Sequence, residues 1–233
     1  MALVSACGRV SFTHDDAPRD GAALPIEHVK VFAQRHPGAG ATDIFSSAAS
    51  AAGNAVVIQV GCADSQTPGA VSISAPGWTF QGLGPIVGTP GNTLFVAAYG
   101  AVAPDTQPAT FTITWAGVTC NVGTSVLADE FTNNDPAGGV TTFDAHAEGI
   151  GTGDATAVVT QAHDGDAIWG ACLSTSAVLA TGAGYTKGAD NGGGDWAEYK
   201  LTTDPAGTPQ DVRFTNTSGA GYRVNAVAIK PRA

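Results

Sequence analysis

Two short strings place carboxylates where a cation could be held: His163-Asp164-Gly165-Asp166 and Asp190-Asn191-Gly192-Gly193-Gly194-Asp195. Glycine lets the backbone fold around an ion, and Ca²⁺ takes roughly six to eight oxygen ligands, which acidic loops can supply. Asp164, Asp166, Asp190 and Asp195 are therefore candidate calcium ligands, and Ca²⁺ is the cofactor these turns would take. Neither string completes the EF-hand spacing, and Asp-Gly or Asn-Gly also makes an ordinary turn. Three aromatics stand beside Gly-rich segments: Trp78, Tyr185 and Trp196. Such rings are candidate stacking platforms for a glycan; large aromatics also plug the ends of sandwiches. Trp115 and Trp169 lie inside apolar runs and are expected in the core.

Catalytic constellations are weaker. The string nearest to a nucleophile elbow, Gly123-Thr124-Ser125-Val126-Leu127, lacks the second glycine of G-x-S-x-G. Asp129 and Glu130 are neighbours, so on a strand they point to opposite faces and cannot act as a pair. Asp144 and Glu148 share a strand face but stand about 13 Å apart by rise, which is too far for acid and base. Asp144 and His146 share a face, and His146 and His163 lie on or beside expected strands. No catalytic residue is assigned, and glycoside hydrolysis is the one enzymatic alternative kept.

These residues sit in a chain of 233 residues with 31 Gly, 13 Pro, 43% hydrophobic and 13% charged residues, and a formal charge of −10. Arg35 is followed by no Lys or Arg until Lys187, and that span holds eleven acids. Clustered bases for gripping nucleic acid or anionic lipid are missing, which argues against both partners. No run of about eighteen apolar residues could span a membrane as a helix, and the N-terminus lacks a secretory layout. Helical periodicity is absent beyond the short Ser46–Gly53. What recurs is a β-type run bounded by Gly, Pro, Asn or Asp. Strands are expected near Ile26–Ala33, Ala55–Cys62, Val71–Ser74, Thr93–Gly100, Ala109–Trp115 and Ser125–Phe131. Others follow at Thr141–Ala147, Ala155–Ala162, Ala167–Ser174, Trp196–Thr202, Asp211–Asn216 and Arg223–Lys230. The fold expected is all-β, a two-sheet antiparallel jelly-roll-like sandwich spanning 26–233 as a single domain, with residues 1–25 an irregular arm suited to an assembly contact. No repeat is visible in the residues. Cys7, Cys62, Cys120 and Cys172 show no C-x-x-C spacing; buried thiols are the simplest reading and a disulfide stays open.

Several stretches resemble a recurrent bacterial and phage β-sandwich family whose members are often described as hypothetical or minor tail proteins. They are Gly53–Cys62, Ala75–Phe80, Thr93–Pro104, Ala109–Trp115, Ser125–Phe131, His163–Cys172 and Tyr222–Pro231. Where that family carries an element like Glu-Tyr-Ser-Gly, this chain has Asp129-Glu130-Phe131-Thr132. The resemblance implies a non-catalytic structural or interaction module on a virion, with other subunits or further copies of the chain as partners. The alternative is a glycan-binding or glycan-cleaving sandwich that is extracellular or on a cell surface.

Overall fold

Residues 24–88 and 93–232 are described by a computed structural model. The expected arm therefore lies outside the described residues apart from Leu24 and Pro25, and so does Cys7. The first half of the chain forms β1 (Glu27–Arg35), β2 (Thr42–Ser46), β3 (Ala55–Ala63), β4 (Ala70–Ser74), β5 (Gln81–Gly82), β6 (Leu94–Val102), β7 (Thr110–Ala116) and β8 (Gly123–Thr132). The second half forms β9 (Phe143–Thr152), β10 (Ala155–Thr160), β11 (Ala167–Ser174), β12 (Val178–Ala180), β13 (Thr186–Asp190), β14 (Trp196–Leu201), β15 (Pro209–Asn216) and β16 (Gly221–Ile229).

Hydrogen bonding sorts these strands into four antiparallel sheets, and the two halves repeat one topology. Sheet β1-β8-β3-β6-β5 faces β2-β7-β4 in the first half; β9-β16-β11-β14-β13 faces β10-β15-β12 in the second. The antiparallel all-β sandwich is thus present, with four sheets because the unit is built twice. The span expected to hold one sandwich holds both. The match extends to residues. Ala55 pairs with Phe131 on one side and Val102 on the other, as Ala167 pairs with Ile229 and Leu201. Gly53 and Gly165, two residues earlier, both take positive φ (88° and 73°).

Layering explains the apolar patterning. β7 alternates Thr110, Thr112 and Thr114 with buried Phe111, Ile113 and Trp115, as an outer-sheet strand must. β3, β8, β11 and β16 are buried along nearly their whole length because both faces of an inner sheet are covered. One core joins inner to outer sheet in the first half, around Phe32, Ile58, Phe111 and Trp115. Another does so in the second, around Val159, Ile168, Val212 and Phe214. A third lies between the inner sheets, where Val57, Leu127 and Phe131 meet Trp169, Val227 and Ile229.

That seam is also polar. Asp129 on β8, fully buried, accepts from His28 Nε2 at 2.9 Å, Trp169 Nε1 at 2.8 Å and Ala189 N at 3.3 Å. Asn225 donates to Gln59 at 2.9 Å across the same interface. Glu130 points the other way, as strand alternation requires, and is bound by Ser50 and Asn54 at 2.6 Å each. Cys62 and Cys120 form a disulfide between β3 and the β7–β8 connection, and Cys172 is a buried free thiol in the second core.

Candidate functional site

The β10–β11 connection carries His163, Asp164, Gly165 and Asp166, and its shape comes from Asp166. This side chain folds back so that Oδ2 accepts from Ala162 N at 3.0 Å and His163 N at 3.1 Å. Gly165 supplies the positive φ the turn needs. Gln161 braces the loop from below, donating to the carbonyls of His163 (3.1 Å) and Asp204 (2.6 Å). Asp166 is fully buried, yet its Oδ1 has no hydrogen-bond partner among the described residues and faces His163 Nδ1 at 4.0 Å.

The third member arrives from an edge strand. Phe143 packs between the inner sheets, whereas Ala145, two residues on, packs toward the outer sheet. Regular alternation forbids that, and the pairing skips a residue: Phe143 opposes Ile229 and Ala145 opposes Ala228. Asp144 is the extra residue of this β-bulge, a device that re-aims a side chain. Its Oδ2 is hydrogen-bonded to His163 Nδ1, and its Oδ1 is buried with no partner among the described residues. One donor atom from each of Asp144, His163 and Asp166 lies within 4.8 Å of the others. Burial pushes the Asp166 carboxyl up to about 6, the loop N–H of His163 opposes this, and the charge of Asp144 reinforces it. Burial also raises Asp144, against the pull of His163. Two carboxylates and an imidazole, half enclosed, can hold a cation or share a proton.

The four expected calcium ligands do not converge. Asp166 joins the cluster, but Asp164 turns outward and caps Ala206 N at 2.8 Å. Asp190 accepts from Gly192 N at 2.8 Å and pairs with Lys187 at 2.6 Å. Asp195 accepts from Ser174 N at 3.2 Å and Asn191 Nδ2 at 2.7 Å. The 190–195 string is thus a hydrogen-bonded turn, its oxygens occupied by the protein's own donors. Spacing puts Asp144 on one strand face with His146 and, farther off, with Glu148. The bulge separates Asp144 from His146, and His146 instead stands 3.7 Å from Glu148.

The aromatic expectation is corrected in the same way. Trp78 is 9% exposed and packs against Phe32, Phe80 and Phe111, so it offers no platform. Tyr185 is its counterpart in the second half. Each follows a positive-φ glycine, Gly77 or Gly184, and each closes a tight turn, Trp78 N to Ala75 O at 3.2 Å and Tyr185 N to Gly182 O at 3.1 Å. Both rings plug a sandwich, and the Tyr185 hydroxyl is buried. Trp196 is half-buried, and Lys187 Nζ covers its ring at 3.4 Å. Searches of protein-family models, curated proteins and solved structures find no match to this chain.

Proposed function

We propose that the protein is a non-catalytic structural and interaction module of a multi-subunit surface assembly, of the phage tail kind that its strand pattern resembles. The observation that carries this reading is the state of the outer sheets. Their border strands β2, β4, β10 and β12 contain no Lys or Arg, and they expose Ile44, Val158 and Leu179. Free edges ordinarily carry charge, especially Lys, to prevent pairing with another chain. Arg35 covers part of one edge, donating to Ile44 O at 3.0 Å, while β10 and β12 have no basic residue of their own. Outer sheets joined to further copies would bury these side chains and pair these edges. Electron microscopy of the concentrated full chain tests the reading. Ordered assemblies are expected, and Val158→Lys or Leu179→Lys should disperse them. Dispersed protein at every concentration, or assemblies indifferent to both substitutions, would speak against it.

A further inference from the structure

We propose that Asp144, His163 and Asp166 form a binding site for one divalent first-row transition ion of the Zn²⁺ or Mn²⁺ type, clamping the bulge of β9 to the β10–β11 turn. The donor set is one imidazole nitrogen and two carboxylates, a mixture such ions accept, whereas Ca²⁺ prefers a shell of oxygens alone. Asp166 Oδ1 is the decisive atom. It belongs to a fully buried side chain, finds no hydrogen-bond donor among the described residues, and lies 4.0 Å from His163 Nδ1. Leaving a carboxylate oxygen buried and unpaired is costly, and a cation relieves that cost.

The duplicated fold supplies an independent comparison. By the matched pairing, Asp166 corresponds to Asn54, Ala228 to Glu130 and Ala145 to Lys30. Backbone contacts agree, since Ala103 N donates to Asn54 O at 2.8 Å and Thr202 N donates to Asp166 O at 3.4 Å. In the first half this place carries its own cation. Lys30 Nζ lies 3.2 Å from Glu130 Oε2 and also donates to Ala49 O, while Ser50 and Asn54 bind Glu130 Oε1. The second half has alanine where the first has both the ammonium and its carboxylate. It brings two other carboxylates to the spot from Asp144 and Asp166, and among the described residues no Lys or Arg pairs with either. Lys230 acts on Asp144 at longer range, and its ammonium is paired with Asp135 at 3.1 Å. The second half thus keeps the anions and lacks the built-in cation. His163 is 43% exposed, so its ring can swing to draw the donors together and leaves an approach open for the ion.

Calorimetric titration of the full chain with ZnCl₂, MnCl₂ and CaCl₂, with melts beside it, tests the site. One equivalent of Zn²⁺ or Mn²⁺ should bind and raise the melting midpoint. His163→Gln and Asp144→Asn should each weaken binding at least tenfold. The far-ultraviolet circular dichroism of each variant checks that it stays folded. Cys7→Ser with His14→Gln, which removes the thiol and the imidazole of the N-terminal segment, should leave binding unchanged. The proposal is overturned if Zn²⁺ and Mn²⁺ give neither heat nor a midpoint shift, if Ca²⁺ alone binds, or if His163→Gln and Asp144→Asn bind as the parent does.

Discussion

Glu198 and Tyr99 occupy matching positions in the two inner sheets and meet one demand with different chemistry. Tyr99 reaches the outer sheet by donating to Val71 O at 2.7 Å, while Glu198 accepts from Gly182 N at 2.7 Å and Arg213 N at 3.0 Å. Glu198 is fully buried, and burial drives its carboxyl from 4.5 up to about 7, with the two N–H donors opposing and Asp211 adding to the rise. The folded state then holds a proton that the unfolded chain releases as the pH climbs from 4.5 to 7. Stability should fall across that window, by about 2–3 kcal/mol from this group. Urea melts at pH 4.5 and pH 7.5 check it: Glu198→Gln should flatten the difference, and an unchanged slope would contradict the assignment. At this scale the sequence was half legible. His163 and Asp166 stand together in one string, but Asp144 is nineteen positions from His163 and is delivered by a bulge that no local pattern announces.

At the scale of elements, long apolar or alternating runs were readable because burial dictates them. Ala55–Cys62 and Ala167–Ser174 sit on β3 and β11 almost residue for residue. The strands missed were β2, β5, β12 and β13, each five residues or fewer. Such pieces are held by their neighbours rather than by their own pattern; β5, for example, is two residues paired to Gly100 and Tyr99. The disulfide was equally hidden, since Cys62 and Cys120 are separated by 58 positions and meet because β3 and the β7–β8 connection pack together. Closing a loop of this size restricts the unfolded chain by about 4 kcal/mol in the loop-entropy model. Replacing both cysteines with Ala should therefore lower unfolding free energy by about 2–4 kcal/mol in denaturant melts. The first sandwich should be affected most, which hydrogen exchange on β3 and β7 can read; equal loss of protection in β11 and β15 would show instead that the halves open together.

For the whole molecule, duplication is the feature that residues alone concealed. The two halves share sheet order, bulge position and glycine placement, while side chains at matching sites have diverged: Lys30 and Glu130 against Ala145 and Ala228, Tyr99 against Glu198. What was legible was the consequence of stacking. Runs such as Leu94–Val102 are apolar on both faces because they lie between an outer sheet and the opposite inner sheet. The inner sheets are spent on each other through Asp129, Trp169, Gln59 and Asn225, so on the proposed reading the outer sheets are the faces left for further copies. Their borders carry no Lys or Arg and lie at opposite ends of the layered stack, an arrangement suited to a subunit that adds copies on two sides. The most direct measurement is the molar mass of the full chain by light scattering across a range of concentrations. Assembly through the outer sheets predicts masses that are multiples of 23.2 kDa and grow with concentration, and a constant 23.2 kDa throughout would contradict it.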